Sequence, residues 1–184
     1  MKEKREAINN ENAHIIMIRN LAEIGKKFGF KVWCPDRNKD SVLKETCETD
    51  LRLNIDTEKL ERIKQIDVVW FKDNNILSIF EVENSTAITS ALERGSNLPN
   101  SELIKKHILI PKERTTLFSR KMKEPMFNEF YQRGNWKVGF YQDLEVFVKK
   151  RNQEIDDFGS IFKQTLKEEK EKTKQRTLSR FNNQ

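Results

Sequence analysis

The sequence predicts an α/β protein in which helices flank a mixed central β-sheet. Three observations carry this expectation. Segments of helical and strand periodicity alternate along the 184 residues. Two apolar segments in the middle of the chain are joined by a short polar break, which makes them an antiparallel hairpin. A later run, His107-Ile108-Leu109-Ile110-Pro111, is almost wholly apolar, as expected of an interior strand covered on both faces.

Residues 1–12 are polar and read as a frayed lead-in or the first turn of a helix. Ile15, Ile18, Leu21, Ala22, Ile24 and Phe28 recur at spacings of three and four, which predicts an amphipathic helix of roughly four turns. Gly29 is placed to end it. Phe30 to Cys34 alternates briefly and stops at Pro35, giving a first strand. From Asp36 to Asp56 neither period persists, although Leu51, Leu53 and Ile55 alternate as a short extended piece would. Thr57 to Ile63 reads as a short helix opened by Asp56 or Thr57.

The hairpin follows, with Ile66 to Phe71 as one strand and Ile76 to Glu83 as the other. Ser85 or Thr86 can then cap a helix from Ala87 to about Asn97. Beyond the apolar strand, Thr115 or Thr116 opens a helix that Pro125 interrupts, and Phe127, Phe130 and Tyr131 form an aromatic stripe. Trp136 to Tyr141 is a last strand, followed by a helix capped by Asp143 that buries Leu144, Phe147 and Val148. The expected organisation is a lead-in over residues 1–12, one α/β domain over 13–162, and a charged helix or tail over 163–184.

Composition narrows the class. No stretch approaches the roughly 18 consecutive apolar residues of a membrane span, and the first residues are charged rather than signal-like, so a soluble cytoplasmic protein without membrane contact is expected. Cys34 and Cys47 lie outside any CxxC pattern, which favours two reduced thiols over zinc or a disulfide. The net charge of +6 is compatible with a polyanionic partner without establishing one. No Ser/His/Asp grouping or phosphate-binding loop is present, and His14 and His107 read as hydrogen-bonded structural histidines.

The hairpin holds the chemistry. Asp67 opens its first strand and Glu81 and Glu83 close its second; residues two apart share a strand face, so the two glutamates point together. Whether Asp67 joins them depends on register. A three-residue turn over Asp73 to Asn75, or a bulge of the same effect, sets Asp67 opposite Glu81, whereas a two-residue Asn74-Asn75 turn pairs it with Val82 and sends its carboxylate to the wrong face. Carboxylates so gathered repel unless a cation compensates them, and a hard divalent ion is the natural one. The plain alternative has Glu83 facing solvent and Asp67 capping a turn.

The stretch Ile66-Asp67-Val68-Val69-Trp70, with Phe80-Glu81-Val82-Glu83-Asn84-Ser85-Thr86 after it, resembles the PD-(D/E)xK nuclease superfamily, the restriction endonuclease-like fold. Asp67 and Glu81 match its two acids, and Glu83 stands where a lysine is usual. The resemblance implies a divalent-metal-dependent nuclease acting on DNA, in a prokaryotic restriction or defence setting, with Mg²⁺ or Mn²⁺ held by Asp67, Glu81 and the Val82 carbonyl and with Glu83 taking a second ion or orienting water. Arg94 looks like a basic residue that reaches a phosphate, ties down a carboxylate, or forms a structural ion pair. Ser85, Thr86, Lys105, Lys106 and Arg114 are the remaining expected substrate contacts, the lysines and arginine within a basic stretch running on to Lys123. A catalytically silent module of this fold that binds nucleic acid or a larger protein is the alternative, and a protein partner or homo-oligomer remains open.

Overall fold

Five strands form one sheet in the order β1-β2-β3-β4-β5. They are β1 (Lys31–Trp33), β2 (Val68–Lys72), β3 (Asn75–Val82), β4 (Lys105–Ile110) and β5 (Trp136–Phe140). β1, β2 and β3 pair antiparallel, while β3, β4 and β5 pair parallel, so the sheet is mixed as expected. The computed structural model describes residues 2–53, 55–83, 88–96, 98 and 102–164. The expected caps Ser85 and Thr86 lie outside these residues, as does most of the charged C-terminal segment.

Each face of the sheet has its own core. On one side α1 (Lys2–Lys27), α7 (Tyr141–Val148) and α8 (Ile155–Ser160) cover Val32, Val68, Trp70, Phe80, Val82 and Leu109. On the other, α3 (Thr57–Ile63), α4 (Ile88–Ser96), α5 (Thr115–Lys121) and α6 (Pro125–Arg133) pack with Val69, Ile79, Ile108, Ile110 and Trp136. The strict alternation of these two sets along β2, β3 and β4 is what a sheet buried on both faces requires. The parallel strands are joined by helical crossovers, α4 between β3 and β4 and α5 with α6 between β4 and β5.

Several boundaries differ from the sequence reading for local reasons. The first helix begins at Lys2, extending through the polar lead-in, and ends where Gly29 takes a φ of 81°. A short helix, α2 (Ser41–Thr46), lies in the segment without a period; the Asp40 carboxylate accepts from the Val42 and Leu43 N–H groups, and Leu43 is the residue it buries. Leu51, Leu53 and Ile55 form no strand and instead pack against the second core. Pro125 interrupts the helical run as expected, and it does so by starting a second helix at its first turn. Asp143 lies within the first turn of α7, which Phe140 opens without a side-chain cap. Cys34 and Cys47 are free, buried and 3.3 Å apart.

His107 sits inside the first core, stacked on Phe80 at 4.7 Å between centroids, with its Nδ1–H donating to the Ile79 carbonyl at 3.2 Å. Burial pushes its pKa down from 6.5 to about 3. The unfolded chain therefore binds a proton that the folded chain refuses, so the stabilisation is complete above pH 6.5 and is lost as pH falls towards 3. Urea titrations between pH 7 and 4 should show stability falling by up to about 1.4 kcal/mol per pH unit from this residue, with a shallower slope in His107→Gln.

Candidate functional site

β1 runs in the same direction as β3, β4 and β5, because two antiparallel pairings separate it from β3. The carboxyl ends of four strands therefore open on one edge of the sheet, the edge where open α/β sheets bind ligands. Glu83 follows β3 there, Pro111 to Arg114 follow β4, and Tyr141 follows β5. Asp67, immediately before the oppositely directed β2, joins the same edge.

The hairpin achieves the required register with a bulge. Asp73 and Asn74 make a two-residue turn, Asp73 at a φ of 53°, with Lys72 opposite Asn75. Left uncorrected, that turn would leave Asp67 one residue out of step. The register shifts between Trp70 and Phe71, with Phe71 opposite Ile76 and Trp70 opposite Ser78, so that Leu77 is the extra residue. Val68 is then opposite Phe80, and one step further Asp67 is level with Glu81. Consistently, Asp67 Oδ2 accepts the Val82 N–H at 2.7 Å. Glu83 continues past the strand end through its own N–H, which donates to the Leu109 carbonyl at 2.8 Å.

Glu81 is 0% exposed and faces α4. Arg94 meets it there with both arms of its guanidinium, Nε to Oε1 at 2.8 Å and Nη2 to Oε2 at 2.6 Å, and Nη2 also lies 4.0 Å from Glu83 Oε1. Burial pushes the Glu81 carboxyl up to about 8 against the pull of Arg94, with the charges of Asp67 and Glu83 adding to the rise. Both of its oxygens accept from the guanidinium, and this charge-assisted pairing favours the ionised form of Glu81. Arg94 is accordingly held more firmly protonated, first by its hydrogen bond to Glu81.

Two further residues reach the site without having been singled out for it. His14 Nε2, from α1, lies 3.6 Å from Asp67 Oδ2. Burial lowers its pKa, but the hydrogen bond and charge of Asp67, with Asp36 and Glu83, outweigh that and leave it raised. Its sequence signal was its place four residues before Ile18 and seven before Leu21, on the inward stripe of the helix. The Tyr141 hydroxyl is buried and has no hydrogen-bond partner among the described residues; burial raises its pKa, and the negative charges of Asp67 and Glu83 raise it further.

The basic candidates separate. Arg114 is half-buried in the turn after β4, on the edge that carries the acids. Lys105 is exposed at the opposite end of β4, three residues before Ile108, the partner of Glu81, and so about 10 Å along the strand. Lys106, expected on the surface, is 1% exposed, with Nζ donating to the Gly134 carbonyl at 3.0 Å. It shares a face with Ile108 and Ile110, which directs it into the second core.

The donors on this edge are carboxylate oxygens and backbone carbonyls, which suit a hard divalent ion in kind. In their present arrangement Glu81 is committed to Arg94, and among the described residues no three His, Cys, Asp or Glu side chains stand together as a metal cage. A family model described as the Type II restriction enzyme NmeDI C-terminal domain matches residues 1–141. Neither a curated protein nor a solved structure matches the chain. Among the described residues no helix is long and apolar enough to cross a membrane.

Proposed function

The chain belongs to the family of the Type II restriction enzyme NmeDI C-terminal domain, and from that premise we propose that it is a restriction-type nuclease hydrolysing DNA phosphodiester bonds with Mg²⁺ or Mn²⁺, a PD-(D/E)xK site in which Glu83 replaces the lysine. The observation that carries this reading is the convergence of Asp67 and the fully buried Glu81 at the carboxyl edge of the sheet, in the register the hairpin bulge enforces. Asp67, Glu81 and the Val82 carbonyl would hold the ion, with Glu83 beside them. When bound, such an ion stabilises charge on the phosphate and lowers the pKa of an attacking water.

The chain's own residues supply the rest. The Val82 N–H fixes the orientation of Asp67, and His14 holds the same carboxylate from the helix side. Glu83 accepts hydrogen bonds from the attacking water and orients it. Arg114 borders the edge, Ser85 and Thr86 follow Glu83 in sequence, and these residues would contact the phosphate backbone, Lys105 more remotely. The nuclease domain occupies residues 13–162, with 163–184 as a charged appendage.

A second reading is favoured by one observation, the commitment of Glu81 to Arg94 in place of an open cage. It is a catalytically inactive module of the same fold that binds nucleic acid or a larger protein partner. Incubating the protein with single- and double-stranded DNA and RNA, in Mg²⁺, Mn²⁺ or chelator, separates the two. Metal-dependent cleavage of DNA supports the nuclease; nucleic-acid binding with no cleavage in any metal supports the inactive module.

The DNA surface has its own test. Arg114→Ala should weaken duplex binding uniformly across sequences and reduce the slope of log affinity against log salt by about one, as the loss of a single phosphate contact does. Lys106→Met should leave that slope unchanged, because its amine faces Gly134 rather than solvent. Fluorescence anisotropy at four salt concentrations reads both.

A further inference from the structure

We propose that Arg94 is a built-in cation that occupies the carboxylate site and must leave Glu81 before a divalent ion can take its place. The inference rests on the metal-dependent reading above and adds a competitor to it. Four observations support it. Both oxygens of Glu81 are engaged by the guanidinium, at 2.8 and 2.6 Å. The same group stands 4.0 Å from Glu83, so one cation faces two of the three acids. Glu81 is completely buried beside two other acids, where its ionised form is costly unless a cation compensates it. Finally, the Arg94 side chain is about one-quarter exposed, so the ion pair lies at the border of solvent rather than deep in the core.

These facts make the two occupants exclusive on electrostatic grounds. A guanidinium and a divalent ion on the same carboxylate would stand within a few ångströms, where like charges in a dry site repel strongly. With Arg94 in place, the three acids are partly neutralised and the edge keeps a single stable form without metal. With a metal in place, Arg94 is released towards the mouth of the site, where a phosphate can meet its bidentate donors. Arg94 thus lowers the apparent metal affinity by the fraction of time it spends on Glu81.

Calorimetric titration of Mn²⁺ into the full chain tests the competition. Arg94→Gln should bind Mn²⁺ at least about tenfold tighter than the wild type, and adding Glu81→Gln to that variant should abolish the gain. Equal or weaker binding by Arg94→Gln overturns the proposal. A second measurement needs no variant. In the wild type, the Arg94 Nε–H resonance should be protected from solvent exchange without metal and lose that protection at saturating Mg²⁺; its persistence at saturation overturns the idea independently. If calorimetry finds no metal binding to either protein, the metal-dependent reading itself fails and the competition with it. Binding without competition sinks this inference alone.

Discussion

Glu81→Gln should lower metal-dependent cleavage of labelled duplex DNA by on the order of 100-fold or more in single-turnover assays, because it removes one of the two charges proposed to hold the ion. Asp67→Asn should do the same, and it separates charge from architecture. The asparagine oxygen still accepts the Val82 N–H, so the hairpin end keeps the hydrogen bond that Asp67 makes at 2.7 Å. Its folding stability should change by less than about 1 kcal/mol, the usual worth of one such bond. Cleavage within tenfold of the wild type in either variant, with folding intact, would remove these residues from the chemistry. Stability should respond far more strongly at Arg94, the partner of Glu81. Arg94→Ala leaves a fully buried carboxylate without its cation, which typically costs about 3–5 kcal/mol. Glu81→Gln leaves only a guanidinium that can turn to water.

The hairpin was legible because its constraints are local. Alternation along Ile79, Phe80, Glu81, Val82 and Glu83 assigns each side chain to a face, and the need to bring Asp67 level with Glu81 restricts the turn to a few solutions. Which solution is used was not legible. A two-residue turn plus a bulge at Leu77 and a three-residue turn have the same net effect on register, and no residue type at Leu77 marks it as extra. The partner of Glu81 was ambiguous for a different reason. Arg94 is 13 residues away, and helix spacing fixes which side of α4 it is on without fixing whether it meets a carboxylate or solvent.

Lys106 marks a place where a signal was present and a broader one overrode it. Its position two residues before Ile108 and four before Ile110 puts it on a buried face, yet it also belongs to a run of cations that reads as a surface. The segment from Asp36 to Asp56 was opaque because its elements are too short for a period to form. The helix at Ser41–Thr46 buries a single leucine, so its Asp40 cap was the available evidence.

Trp70→Ala should be the most destabilising single truncation in the first core, by about 3–5 kcal/mol in urea denaturation. Trp70 is 2% exposed and touches aromatic rings from both sequence ends of the domain: Phe80 at 4.5 Å, Phe158 at 5.0 Å and Phe30 at 5.5 Å between centroids. Its Nε1–H donates to the Leu21 carbonyl at 3.1 Å, which ties β2 to α1. The fit is close enough that a Cβ on Gly25 would lie 2.4 Å from that nitrogen, so the helix approaches the sheet there only because residue 25 is glycine. Truncation therefore removes a large apolar surface, a buried hydrogen bond and the contact that fixes α1 against the strand beginning beside Asp67. For a chain of this size the melting temperature should fall by roughly 2–4 °C per kcal/mol. Met126→Ala, on an exposed position of α6, should stay within about 0.5 kcal/mol of the wild type. A loss below about 1 kcal/mol at Trp70 would mean that the neighbouring phenylalanines collapse into the space, and that α1, with His14, is held to the site by other contacts.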